Sequence, residues 1–536
     1  TIGNQSVAIG YKASCANQEG FKNVSVGQCA LLSNVTGDEN VAIGVDSLRT
    51  GTDVNRNVAI GCQALCANTV NDILAIGAET LRNNSTGASN TAVGRASMCA
   101  NTTGHNNIAL GRSALVKNTI GCCNVAIGGQ NALACNTEGN QNVAIGQLAL
   151  CANTTASNNT AIGHCSQKVG TTGSLNTSLG AFSMCNSTAS CNTALGYLSL
   201  ASSTGVSNTA VGLRSLVTNT SGNENTAIGN CSLALNETGT NNTALGFISL
   251  KANSSGSSNV AVGSGALDSN TTASNNVGVG GNALGVNTTG GNSVAVGINS
   301  LKSQTSGDSN IAVGERAGCG LTTANGNILI GQGIGQATIT GSCNVGVAYQ
   351  GFIALTSGGC NVALGYRSMY NTTTGNNNSG IGRHSGFSIT TGTNNTLLGH
   401  EAGTSSSPFT LTTEDHRVVV GNNDVSNAYI KVAFTVTSDL RDKTNFGEVP
   451  HGLDFVNKLN PVSFKFKKSR EDDTPTGDLR YGFKAQDILK LEGDNNVIID
   501  TEEPNHLKYK GEHLVPVLVN AIKELTKRVK ELEDKE

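Results

Sequence analysis

Ser438 and Lys443 stand five residues apart in the run Thr437-Ser438-Asp439-Leu440-Arg441-Asp442-Lys443-Thr444 and carry a hydroxyl and an amine. A serine hydroxyl becomes a nucleophile when a base takes its proton. A lysine is such a base only when burial or nearby positive charge lowers its pKa. By spacing alone the two residues read as a solvated surface pair. Arg441 is placed either to help that lowering or to pair with Asp439, and the sequence leaves both open.

Other reactive residue types offer less. All 16 Cys lie between Cys15 and Cys360, none forms paired CxxC motifs at zinc spacing, and the 8 His are scattered. The expectation is therefore no metal ion and no cofactor, with Cys acting as small, half-buried fillers. Disulfides between turns are the alternative, but Cys66, Cys99, Cys151 and Cys185 share one repeat position without falling in adjacent turns. Sequons such as Asn34, Asn101 and Asn153 read either as glycan acceptors or, preferably, as turns of the Asn-Thr-Thr-Gly kind. Thr160, Thr177, Thr193, Thr209, Thr226 and Thr243 form a rank, but their partners Ile162, Leu179, Leu195, Val211, Ile228 and Leu245 are apolar, as in ordinary strands rather than an ice-binding face. Glu39, Glu138, Glu224 and Asp308 sit in turn-like stretches and make no carboxylate pair of the kind that cleaves glycans.

The elements that must position these residues come from a repeat. With 67 Gly, no Trp, 4% aromatic and 13% charged residues, the 536-residue chain is poor in the large side chains a compact core requires. Asn-[Val/Thr]-Ala-[Ile/Val/Leu]-Gly recurs from Gly10 to Gly399 at spacings of 16 to 18, with Ala348 in place of one Gly. Each unit reads as one coil: a short strand such as Val7-Ala8-Ile9, a Gly turn, then an apolar residue (Leu31, Leu48, Leu65, Leu81, Met98, Leu115) as a second strand or a corner filling the interior. One coil cannot bury its apolar side, but stacked coils share a narrow continuous core. The Asn before each strand is expected to form a ladder of side-chain amides. Net charge is −3 and no apolar run approaches the ~18 residues of a bilayer span, so neither nucleic acid nor membrane is an expected partner. The chain opens at Thr1 inside a repeat and reads as a fragment or processed product lacking an attachment region.

The repeat, seen in Asn4-Gln5-Ser6-Val7-Ala8-Ile9-Gly10, resembles the head repeat of trimeric autotransporter adhesins. The resemblance covers residues 1 to about 400 and implies a left-handed parallel β-roll that trimerises, although the unit here is longer.

After about Gly403 Lys, Glu, Asp, Phe and Pro rise and Cys vanishes. Arg417–Gly421 and Tyr429–Val432 read as terminal strands. The Ser438 run is followed by Leu459-Asn460-Pro461-Val462-Ser463-Phe464-Lys465-Phe466, then Tyr481-Gly482-Phe483-Lys484-Ala485-Gln486-Asp487, then a heptad helix. That order resembles the intramolecular chaperone domain of phage endosialidases and tail fibres, the S74 peptidase family, over residues 438–536, with Asp487 where the family often has Glu. The resemblance implies that Ser438 attacks the carbonyl of Thr437 and breaks the Thr437–Ser438 bond once, in cis, with Lys443 taking the serine proton. In the helix, Val515, Ile522 and Val529 share one heptad position and Leu518, Leu525 and Leu532 the other. Side-chain rules favour a dimer for that pattern, whereas the resemblance implies a trimer, and the trimer is the expectation adopted.

The fold expected is thus mostly β: a parallel β-solenoid of about 24 seventeen-residue coils over residues 1–403, a connecting β segment over 404–437, and a small α+β domain over 438–536 ending in a coiled-coil helix, 515–536. The expected function is a homotrimeric virus or phage surface fibre on the virion for host attachment, with a host surface glycan or receptor as its target and a self-cleaving C-terminal chaperone. A cellular trimeric adhesin and a glycan-degrading fibre enzyme are the alternatives.

Overall fold

The computed structural model describes residues 5–431, 438–467, 470, 472–494, 496–502 and 504–535. The chain divides into two units, Thr1–Tyr366 with Asn371–Asn376, and Arg367–Tyr370 with Asn377–Glu536.

The first unit is a parallel β-solenoid. Its strands run from Val7–Ile9 to Val362–Leu364, and each pairs in parallel register with the strand one coil on, as in Thr160↔Thr177 and Thr177↔Thr193. The coil that begins at Asn90 shows how the sequence makes this shape. In Thr91–Val93 the middle residue, Ala92, points inward with no exposed surface, while Thr91 and Val93 point outward and are half-buried. Gly94 follows with φ +127, and a Cβ there would lie 2.5 Å from the carbonyl oxygen of Gly111 in the next coil, so only glycine fits. The chain then turns a corner through two left-handed residues, Ala96 and Met98, and the Met98 side chain drops into the interior. The expected second element is therefore a corner and not a strand. Left-handed backbone disfavours β-branched side chains. The corner position accordingly carries Leu, as at Leu31, Leu48 and Leu115, and no β-branched residue appears there in these coils.

The core is a column of Ala packed against a column of Leu and Met. One buried Leu contributes about 2 kcal/mol, which is small beside the cost of ordering 17 residues, so no coil is stable alone. Volume is conserved along the column. Where glycine takes the corner, at Gly318 and Gly335, the strand between them carries Leu329 instead of Ala. A Leu329 Cδ1 methyl fills the space that a Cβ on either glycine would enter, at 3.3 and 3.0 Å.

Departures from 17 residues fall where the register can absorb them. The 16-residue step from Gly61 to Gly77 shortens a turn, where Asn68 bonds a carbonyl two residues on, at Val70, instead of three. The 18-residue step from Gly128 to Gly146 lengthens the strand Val125–Gln130 with a bulge opposite Arg112.

The second unit holds three more rungs, Ser379–Ile381, Thr396–Leu398 and Val418–Val420, in parallel register around Ile389, Leu397, Ala402, Phe409, Leu411 and Val419. Tyr429–Lys431 form no strand, contrary to the sequence reading, and Tyr429 is 94% exposed; Val432 lies outside the described residues. Beyond them come helix α1 (Leu453–Val456), an antiparallel hairpin of Val462–Lys467 with Pro475–Gly482, helix α2 (Ala485–Glu492), a short antiparallel pair of Ile499–Asp500 with Lys508–Tyr509, and helix α3 (Leu514–Glu533). Phe455, Ile488, Ile498, Ile499, Leu514 and Val517 form its core. The Glu524 carboxylate accepts from the first amide of α1 (Leu453 N to Oε2, 2.7 Å), which joins α1 to α3. No helix among the described residues is long and apolar enough to cross a membrane.

Candidate functional site

Ser438 and Lys443 flank a 3-10 turn, Leu440–Asp442. Asp439 caps it: its Oδ1 accepts from the Arg441 amide at 2.9 Å, and the Lys443 amide donates back to Leu440 O at 3.2 Å. The turn folds the chain so that Lys443 Nζ donates to Ser438 Oγ at 2.5 Å. Both side chains are exposed in the single chain. Thr437, the expected acyl side of the cleaved bond, lies outside the described residues. Arg441 pairs with Asp439, Nη2 to Oδ2 at 2.6 Å. That hydrogen bond, together with the Arg441 amide, holds the Asp439 carboxyl below the usual carboxylate range and raises the guanidinium in turn. The ambiguity left by the sequence is thereby resolved toward the Asp439 pair.

Helix α3 has two apolar faces. Leu514, Val517 and Ala521 are buried in the domain's own core. The heptad residues Val515, Leu518, Ile522, Leu525, Val529 and Leu532 are 38–64% exposed. The solenoid strands behave alike: their inward Ala is buried, while outward residues such as Leu179, Leu195 and Leu245 remain more than 40% exposed. The Thr160–Thr243 rank lies on this outward face, alternating with those apolar residues.

Two amide ladders run through the first unit. In the expected one, Asn242 donates from its backbone N to Asn225 Oδ1 (3.0 Å) and from Nδ2 to Gly256 O (2.8 Å), and this pattern recurs between Asn40 and Asn361, with Ile73 and Ser293 standing in two of the slots. The second ladder was not foreseen. It is built from the turn asparagines, including all three sequon positions singled out above. Asn101 Nδ2 donates to Asn84 Oδ1 (2.6 Å) and to Gly104 O (2.9 Å). Asn34, Asn101 and Asn153 have no exposed surface. Where the next coil has Gly51 or Gly170 in the slot, the Oδ1 of Asn34 or Asn153 is left without a partner. The only sequence signal for this ladder was the recurrence of Asn three residues before Gly.

The acidic turn residues hold structure: Glu39 pairs with Lys22 at 3.4 Å and Asp308 Oδ1 accepts the Gly291 amide at 2.5 Å. The sixteen cysteines are free thiols. Burial, first among its causes, pushes the Cys66, Cys99, Cys151 and Cys185 thiols up and keeps them protonated. One group escaped the sequence reading: His105, Cys122 and Cys123 come together with their ligand atoms within 4.8 Å of one another. His105 and Cys122 are one coil apart, so no closely spaced motif marks them in the sequence.

Neither a curated protein nor a solved structure matches the chain. Residues 438–497, the segment that opens on Ser438 and includes Lys443, the hairpin and α2, match the family model Peptidase_S74, described as the chaperone of endosialidase.

Proposed function

We propose that the chain is a homotrimeric surface fibre of a virus or phage, used for attachment to a host glycan or receptor, and that its C-terminal domain directs trimerisation and then cleaves itself off before Ser438. The hydrogen bond between Lys443 and Ser438 inside the segment that matches the chaperone family carries this reading. The outward apolar faces of the solenoid and of α3 support the trimer, because both leave large aliphatic side chains in water in the single chain.

The reaction follows from the pair. Lys443, once neutral, takes the hydroxyl proton, and Ser438 Oγ attacks the carbonyl carbon of Thr437. The Thr437–Ser438 amide bond breaks, its nitrogen takes a proton and becomes the new α-amine, and an ester joins Thr437 to Ser438 Oγ. Water then hydrolyses the ester, releasing residues 438–536 with the hydroxyl restored. Burial of the pair by neighbouring chains would disfavour a charged amine beside Ser438, so cleavage is coupled to assembly. Cleavage after assembly would then trap the fibre kinetically.

The test is expression of the wild type beside Ser438→Ala and Lys443→Ala, followed by denaturing gels. The wild type should release a fragment of about a hundred residues, and both variants should stay whole. A full-length wild type would end the protease reading and leave the chaperone reading standing. Soluble native trimers from a chain lacking 438–536 would end the chaperone reading.

A further inference from the structure

We propose that His105, Cys122 and Cys123 form a binding site for one Zn(II)-class ion that staples adjacent coils of the solenoid. Three observations carry it. First, the stacking is direct: the Cys123 amide donates to His105 O at 3.0 Å, so imidazole and thiols come from successive coils. Second, Cys123 has φ +60, and this left-handed turn lets the side chains of two consecutive residues converge instead of pointing to opposite faces as in a strand. Third, the three ligand atoms already lie within 4.8 Å of one another. In a tetrahedral site with Zn–S of about 2.3 Å and Zn–N of about 2.0 Å, ligand atoms stand roughly 3.5–3.8 Å apart. Side-chain rotation of about 1 Å at this partly exposed corner closes the difference without moving the backbone.

The surroundings suit the ion. Asn140, from the next coil, accepts the Cys122 amide on Oδ1 at 2.8 Å, which fixes that backbone, and accepts the Cys122 thiol proton at 3.1 Å until the ion displaces it. Asn106 Nδ2 lies 3.0 Å from His105 Nδ1; with that amide rotated by 180°, its Oδ1 accepts from Nδ1–H and leaves Nε2 for the ion. Two thiolates and an imidazole select a borderline-soft divalent ion over Ca(II) or Mg(II), which take oxygen ligands. The site uses none of the residues of the proposed cleavage and does not rest on it.

The full chain, reduced, stripped with chelator and kept anaerobic, is titrated with Co(II) and then Zn(II). One equivalent of Co(II) should produce a thiolate-to-cobalt charge-transfer band and a tetrahedral visible spectrum, both removed by Zn(II). The Cys122→Ser/Cys123→Ser double variant should lose that equivalent, and His105→Ala, which keeps both thiols, should lose the tetrahedral spectrum. Cys66→Ser, elsewhere on the solenoid, should retain both. Circular dichroism of the metal-free variants should match the wild type, since the substituted side chains are outside the core. An undiminished band in the double variant, or no thiolate band in the wild type, overturns the proposal.

Discussion

Asp439 holds Arg441 through both its side chain and its amide, and so keeps the guanidinium occupied at the turn that joins Ser438 to Lys443. Arginine is therefore engaged in building the turn and is not free to act on the Ser438–Lys443 pair. Because its folded pKa is depressed, the Asp439 pair favours the turn above the unfolded carboxyl pKa and loses that effect as pH falls through the folded value. An NMR titration should find the Asp439 midpoint below 3.8, its ordinary value. Asp439→Asn should raise exchange of the Lys443 amide at neutral pH. A midpoint at or above the ordinary value would contradict the pairing.

The exposed face of α3 should carry oligomerisation separately from folding. Ile522 and Leu525 are 63% and 49% exposed, while Leu514, Val517 and Ala521 hold the domain core. Burying each of the first two in a coiled coil contributes about 2 kcal/mol. Ile522→Asp with Leu525→Asp should therefore weaken association by at least about 100-fold, with helical circular dichroism retained. Unchanged sedimentation of the double variant would show that the chains associate through another surface.

A rung removed from the turn ladder should act locally. Asn118 donates from Nδ2 to Asn101 Oδ1 (2.8 Å) and Gly121 O (2.9 Å), and accepts from Asn136 Nδ2 (2.8 Å). Asn118→Ala leaves Asn101 Oδ1 without a partner and removes one bond each from Gly121 O and Asn136 Nδ2, which keep Asn107 Nδ2 and Gly139 O, a cost of about 2–3 kcal/mol. Since solenoid stability is a sum over neighbours, hydrogen exchange should speed by roughly 100-fold in the coils around residues 101–136 and little farther away. Uniform acceleration along the solenoid would contradict nearest-neighbour coupling.

The same burial bears on modification. Expression in a glycosylating host should leave Asn34, Asn101 and Asn153 unmodified in the folded chain, because each amide is sealed inside a ladder. Intact-mass measurement after enzymatic deglycosylation, with peptide mapping of those three sites, decides it.

Glu492 should be indispensable to the C-terminal domain. Its carboxylate is 6% exposed and accepts from the amides of Val497, Ile498 and Ile499 at 2.8, 2.6 and 3.0 Å. Glu492→Gln turns one acceptor oxygen into a donor facing those amides and should cost about 2–4 kcal/mol. Thermal melting followed on a tyrosine signal of that domain should shift downward, and an unshifted melt would rule out this role.

Periodicity made much of the fold legible in the sequence. A glycine every 17 residues, an inward Ala and a corner Leu each carry weak information, but repetition over two dozen coils makes the pattern unambiguous. The coil, its strand and its core column follow from steric rules that act within a few residues. So does the two-residue heptad seam of α3, because helical period is local. Tertiary structure decided what lies one coil away or at the end of a long side chain. The burial of Asn101, the meeting of His105 with Cys122 and Cys123, the choice of Arg441 for Asp439, and the capture of three amides by Glu492 depend on which polar groups are left unpaired once the backbone has folded. A sequence names the donors and acceptors; only the folded chain determines which of them face each other.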